Sequence, residues 1–238
     1  HHTFAGWWTG ESGTGAQVTE STVFTGPVDR TLYAKWMFNV YTGPAGGLVF
    51  YENPNWETDG WRYLEAAPYG WYNGETDSSG AYSGDEDPYF QWGVYIYPID
   101  PPAKATAVGT GMSNTLNIVE YHDTLWTRYP EKGDYYTNPT EYYSPNDGTV
   151  AAKICAGYSL ENGGTTYDDW YLPSKDELSQ MYLNLKQNNL GGVSTSYYWS
   201  SSEGNVFYAW SQAFGSSGDQ RSNSHRSYQC KVRPIRAF

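Results

Sequence analysis

One stretch of this chain carries a complete helix signature, and its isolation limits what the remainder can build. Ser174 and Glu177 have the spacing of a capping box, in which the serine oxygen takes the amide of the third helical residue and the glutamate reaches back to the cap. Leu178, Met181, Tyr182 and Leu185 then fall at i, i+3, i+4 and i+7, so one face packs inward, and Asn188-Asn189 with Gly191-Gly192 end the run. Two weaker helices are expected. One is capped by Ser113 and runs through Leu116, Val119 and Glu120. The other has the stripe Val150, Ala151, Ile154, Cys155 and Tyr158 after the turn Asn146-Asp147-Gly148. Elsewhere short aromatic and β-branched pieces alternate with turn residues: 48–51, 61–68, 197–199, 206–208 with 209–210, and a last strand over 231–238. The stretch up to about Gln91, with Asp77-Ser78-Ser79-Gly80 and Gly84-Asp85-Glu86-Asp87, reads as loop. The expected fold class is α+β, loop-rich, with few short helices and short antiparallel strands.

A core for such a fold must come from unusual material. Of the 238 residues, 18% are aromatic, with 24 Tyr and 11 Trp, yet the mean hydropathy is −0.69. Most of the apolar area therefore sits on rings with an O–H or N–H, suited to half-buried positions and interfaces. So many rings exclude disorder. The formal net charge of −12 repels phosphate backbones and anionic lipid surfaces, so no nucleic acid partner is expected. No stretch approaches the roughly 20 apolar residues of a membrane-spanning helix. Two cysteines, Cys155 and Cys230, leave open a buried free thiol with an incidental one, or a single disulfide. With four His and no CxxC they form no zinc pattern, and no metal or cofactor is expected.

The chain divides near residue 36. Before it, Phe4-Ala5-Gly6-Trp7-Trp8 and Thr31-Leu32-Tyr33-Ala34-Lys35-Trp36 make two short strands with little core of their own, after His1 and His2, which look like a tag remnant. This piece resembles the end of a Listeria–Bacteroides-type repeat, which implies a spacer over 1–36. The ligand-binding domain is expected over 37–238.

Chemical alternatives are weak at readable spacing. Gly46-Gly47 lacks the Lys-Ser/Thr ending of a phosphate loop. Asp85, Glu86 and Asp87 could offer oxygens to Ca²⁺, but a solvated acidic turn is commoner. His122 reads as a helix-end or surface residue. Asp168, Asp169 and Asp176 read as turn and helix-start residues. No nucleophilic triad or paired-carboxylate arrangement stands out, so no catalytic residues are assigned.

Several blocks occur in order and carry a resemblance: Thr42-Gly43-Pro44-Ala45-Gly46-Gly47, Trp61 to Pro68, Asp169 to Leu178, Tyr198-Trp199-Ser200-Ser201-Ser202-Glu203, and Val232 to Phe238. The chain resembles bacterial domains with a C-type lectin fold of the formylglycine-generating-enzyme subtype, and within them the variable proteins of diversity-generating retroelements. That resemblance implies surface display through a lipid anchor not present in this chain, on the outer membrane facing outward. It also implies a variable region over about 198–238, diversified where template adenines are replaced at random, chiefly at AAC or AAT Asn codons. The partner is then an unknown protein or glycan on another cell or surface. Calcium-dependent sugar binding is an alternative, but Glu52-Asn53-Pro54 and Asp168-Asp169-Trp170 have the wrong order for its motifs. A non-diversified adhesin is another. A formylglycine-generating oxygenase is a third, although only Cys230 lies in the region where its cysteine pair would be.

Randomising the first two bases of such an Asn codon cannot give Lys, Glu, Gln, Met or Trp. Between Gly204 and Cys230 the only residues outside the reachable set are Trp210, Gln212, Gln220 and Gln229, read as framework. The rest have the composition of a paratope. The expected ligand-binding residues are Asn205, Phe207, Tyr208, Ser211, Ala213, Ser216, Ser217, Asp219, Arg221, Ser222, Asn223, Ser224, His225, Arg226 and Tyr228. Phe207, Tyr208 and Tyr228 would be anchors, while Arg221, His225 and Arg226 would steer an acidic or polar partner. The segment 204–230 is expected to drape over the scaffold as a long loop.

Overall fold

A computed structural model describes residues 1–11, 14–26, 29–74, 86–94, 98–124 and 149–238. The expected loops at Asp77 to Gly80 and Gly84-Asp85, and the turn Asn146-Asp147-Gly148, lie outside the described residues. The chain forms two units, His1–Tyr41 and Thr42–Phe238.

In the first unit, β1 (His2–Trp8) pairs antiparallel with β2 (Gln17–Val18) and β3 (Tyr33–Phe38) in the order β2-β1-β3. His2 belongs to β1 and opposes Phe38. None of the unit's described residues is buried. Its rings make their contacts on the open sheet surface, as in the edge-to-face pairs Phe4–Trp7 and Phe4–Trp36 at 5.5 and 5.3 Å.

The second unit is mixed α+β, mostly strands with few short helices. Its larger sheet has the order β12-β11-β10-β13-β7, built from β7 (Tyr89–Gln91), β10 (Tyr197–Glu203), β11 (Tyr208–Ala213), β12 (Gln220–His225) and β13 (Gln229–Lys231). A second sheet has the order β14-β6-β5-β4, from β4 (Tyr41–Thr42), β5 (Leu48–Glu52), β6 (Tyr63–Ala66) and β14 (Ile235–Ala237). A short hairpin joins β8 (Leu160–Asn162) and β9 (Thr165–Tyr167). The last strand expected over 231–238 is therefore two strands in different sheets. They are divided at Pro234, which has no N–H to give a ladder.

Among the described residues four α-helices accompany the sheets: α1 (Trp56–Asp59), α2 (Gly111–Asp123), α3 (Ala151–Ala156) and α4 (Lys175–Asn184). α4 has the full capping box, with Glu177 N donating to Ser174 Oγ at 3.3 Å and Ser174 N to Glu177 Oε2 at 2.6 Å. Its stripe of Leu178, Met181, Tyr182 and Leu185 is buried. α2 begins at Gly111, two residues before the expected cap, and Ser113 Oγ donates back to the Thr110 carbonyl at 2.9 Å. Leu116 is 55% exposed, and the inward side is Asn114, Thr115, Ile118, Tyr121 and His122. That face is largely polar because the segment against it supplies partners. Thr115 Oγ donates to the Leu172 carbonyl and accepts from its amide, at 3.2 and 3.1 Å.

The tryptophans show how a hydrophilic chain fills a core. Trp92, Trp170 and Trp199 are fully buried, and each N–H finds a carbonyl: Ser200, Tyr167 and Phe90, at 2.7, 3.0 and 2.8 Å. Burying the ring contributes on the order of 25 cal/mol per Å² without stranding its polar tip.

Candidate ligand-binding face

The segment 204–230 is a strand hairpin on the edge of the larger sheet, not a loop draped across it. β12 is outermost and pairs with β11, opposing His225 to Tyr208 and Arg221 to Ser211, with an extra residue in β12 opposite Trp210. The loop joining them needs Gly218, whose φ is +65° and whose added Cβ would lie 2.4 Å from the Tyr182 ring. Gln212 Nε2 donates to the Gly218 carbonyl at 3.0 Å, and Gln220 Nε2 donates to the Lys175 carbonyl at 2.9 Å. The Lys175 ammonium lies 5.3 Å from the centre of the Trp210 ring. Three of the four residues unreachable from an Asn codon thus fasten the hairpin to its own turn or to α4. The fourth, Gln229, is exposed in β13 opposite Gln91.

The other end of the hairpin is held by Arg226. Its side chain is wholly buried, makes an ion pair with Glu203, donates to the Asn205 carbonyl, and lies 4.7 Å above the Trp92 ring. Its own carbonyl takes the Trp92 amide at 2.9 Å, and its amide reaches the Phe207 carbonyl at 3.1 Å. A buried ion pair needs such surroundings, since two desolvated charges are tolerated only with good geometry and further hydrogen bonds.

These facts correct three of the expected contact residues. Arg226 is 0% exposed and cannot touch a partner, because its charge is spent on Glu203. Ser211 and Ala213 are 1% and 9% exposed, since alternation along β11 turns them inward with Ala209. The Ser211 hydroxyl is taken by Ser224, 2.6 Å away.

The remaining twelve are accessible. Asn205, Phe207, Ser216, Ser217, Asp219, Arg221, Ser222, Asn223 and Tyr228 are exposed, and Tyr208, Ser224 and His225 are half-buried. Asn205 also shapes its turn, its Oδ1 accepting from the Phe207 and Tyr208 amides at 2.8 and 3.1 Å. A row of rings runs Phe207–Tyr208–His225–Tyr228 with centroid spacings of 6.1, 5.2 and 5.3 Å. Its two ends, Phe207 and Tyr228, are 40% and 59% exposed. Desolvation lowers the His225 pKa, which weakens its hold on a positive charge. Beside the row, β12, the start of β10 and residues 227–230 enclose a groove of about 710 Å³. That is within the roughly 300–1,000 Å³ of ligand clefts. Its lining includes Tyr197, Ser227 and Cys230, which the codon argument did not select. Tyr197 was readable by strand parity, because it shares a sheet face with the core residue Trp199, one step closer to the strand end.

Compared with known proteins, the chain matches no protein-family model and no curated relative.

The residues raised for other chemistry are occupied within the fold. Asp87 accepts from Trp71 Nε1 at 2.9 Å, from the Tyr198 hydroxyl at 2.6 Å and from Arg233, while Glu86 pairs with Lys231. Asp85 lies outside the described residues. No cluster of three potential metal ligands occurs among the described residues. The Gly46-Gly47 turn does hold an anion, but it is the chain's own Glu65, whose carboxylate accepts from Gly47 N at 2.8 Å. Asp169 pairs with Arg236 at 2.7 Å, in place of the turn role expected for it. Both cysteines are free and buried; desolvation pushes Cys230 up to about 12 and Cys155 well above the usual thiol value. His122 is buried, not on the surface. Its Nδ1 donates to the Ile118 carbonyl at 2.7 Å and its Nε2 accepts from the Val94 amide at 3.1 Å, which defines a neutral ring. Desolvation lowers its pKa to about 4.

Proposed function

We propose that this chain is a ligand-binding protein, not an enzyme. Its scaffold is a C-type lectin-like fold of the formylglycine-generating-enzyme subtype, and its contact residues are diversified by a retroelement. The observation that carries this reading is the sorting of side chains between Gly204 and Cys230. Twelve of the fifteen residues singled out on codon grounds reach solvent or line its edge, whereas Trp210, Gln212 and Gln220 fasten the hairpin. A row of four rings beside small polar groups and one guanidinium is the chemistry of a paratope. The partner is a protein or glycan presented on another surface, met by a protein displayed outside the cell through a lipid anchor.

The oxygenase alternative calls for a pair of cysteines near the C-terminus, but only Cys230 lies there, and both thiols are buried and free. The calcium-lectin alternative requires Glu52 and Asn53, but Glu52 pairs with Arg62 and the Asn53 amide is bonded to Asp59 and Trp61. The encoding genome tests the proposal. It should hold a second, adenine-rich near-copy of the 198–238 segment beside a reverse-transcriptase gene. A genome without such a copy, with relatives matching freely through 204–230, would return the protein to the class of undiversified adhesins.

A further inference from the structure

Arg221 stands apart among the described arginines of the second unit. Of its described arginines, Arg62, Arg226, Arg233 and Arg236 each pair with a carboxylate, and Arg221 has none. It is nevertheless held in place, its guanidinium lying 4.6 Å above the Tyr197 ring, where it forms one wall of the groove. Stacking fixes the plane of a guanidinium and leaves its N–H edge free, the arrangement that receives a carboxylate in two parallel hydrogen bonds. The remainder of the groove is lined by neutral polar residues, Asn223, Ser224 and Gln229, with Tyr228 at the rim. Ser227 Oγ is buried there without a partner.

We propose that this groove takes an extended acidic peptide segment of a protein partner, seating an Asp or Glu side chain on Arg221. The assignment rests on the reading of 204–230 as the ligand face and names what that face holds. Three observations select a peptide. The Asn223 amide, donor and acceptor in one group, matches the alternating N–H and C=O of an extended backbone. A sugar ring stacks on an open aromatic face, but of the two rings lining the groove the Tyr197 face is covered by Arg221, which leaves only Tyr228 at the rim. The extra residue in β12 distorts the sheet edge, so the segment crosses the groove and does not add as a strand. The net charge of −12 does not forbid an acidic segment, because charges farther off than the Debye length of about 8 Å are screened at physiological salt.

The test is selection of random heptapeptides displayed on phage against the full chain and against Arg221→Gln, followed by fluorescence-polarisation titration of the winners. Against the parent chain, winners should share an Asp or Glu beside an apolar residue. Their affinity should fall about tenfold or more on Arg221→Gln. Replacing the peptide's acid by its amide should cost the same factor, with no further loss when both changes are combined. Arg221→Gln should melt within 2 °C of the parent, so lost affinity is not lost fold. Winners without acidic bias, sensitive to Phe207→Ala and Tyr228→Ala but not to Arg221→Gln, would overturn the carboxylate assignment while leaving the ligand face standing. No enrichment at all, or glucuronate binding at Arg221 in place of peptide, would overturn the peptide as occupant.

Discussion

Removing Arg226 should damage the fold and not merely the face. In Arg226→Ala the Glu203 carboxylate stays behind, 0% exposed, with its cation gone, and the Asn205 carbonyl loses a donor. Breaking a buried pair from one side costs about 3–5 kcal/mol, because an uncompensated charge remains in a poorly polarisable site. For a chain of this size each kcal/mol shifts the melting temperature by roughly 2–4 °C, so the expected fall is about 6–20 °C. The assay is urea unfolding followed by tryptophan fluorescence, for which Trp92, directly beneath the guanidinium, is a local reporter. Two comparisons make the result interpretable. Arg221→Ala removes an arginine from the same hairpin at an exposed site and should stay within about 0.5 kcal/mol of the parent. The double replacement Arg226→Met with Glu203→Leu removes both charges and should recover most of the loss. An Arg226→Ala chain within 1 kcal/mol of the parent would refute the assignment of Arg226 to the scaffold and return it to the ligand contacts.

Three further outcomes follow from burial. His122 has its pKa lowered to about 4 by desolvation, with Lys153 and Arg226 lowering it further and Asp123 and the Ile118 carbonyl opposing. The unfolded state therefore takes up the proton first: the ring's contribution is intact above pH 6.5 and is lost progressively as pH falls to about 4, to about 3 kcal/mol in all. Glu65 and Glu177, with raised pKa values, act in the opposite sense but equally in both chains compared. Urea midpoints from pH 7 to 4 should thus fall less steeply for His122→Gln than for the parent, and parallel curves would refute the neutral buried ring. Neither cysteine should react with a thiol reagent at pH 8 until the chain is denatured, when both should; fast labelling of the native chain would show an accessible thiolate. Ser211→Leu should cost about 1–3 kcal/mol by overpacking, while Ser222→Tyr and Asn223→Tyr should lie within about 0.5 kcal/mol, as read by thermal melts.

Legibility in the sequence followed how local the determining interaction is. The capping box of α4 and its apolar stripe are settled within twelve residues, and they appear in the structure as read. β5 and β6 were visible because their apolar residues cluster between turn residues. α2 was read as a helix with its start two residues late, because its inward face carries Asn114, Thr115 and His122, whose partners at Ala105, Leu172 and Val94 are distant or on another segment. No periodicity of apolar residues marks such a face. β12 was hidden for the opposite reason: Gln-Arg-Ser-Asn-Ser-His has no apolar side at all, and it is a strand because β11 offers it a ladder. Arg226 looked like a surface cation by type, and nothing nearby announced that Glu203, twenty-three positions earlier, would be buried against it.

The same division explains how a surface can change its residues without losing its shape. A strand is held to its neighbour by backbone groups, which every residue except proline supplies in full, so β12 needs little from its own side chains. What it does need is fixed at the two ends, by Gln212 on the Gly218 carbonyl and Gln220 on Lys175 at the turn, and by Arg226 on Glu203 at the other. Between those fastenings Arg221, Ser222 and Asn223 are exposed, and only Arg221 rests on a neighbour, the Tyr197 ring. Diversification that reached Arg226 would therefore be filtered by stability before it was filtered by binding. Under the proposed reading, working variants should retain a cation at 226 while positions 221–223 range freely, and a folded, diversified set with Ser or Gly at 226 would break that link between architecture and tolerance.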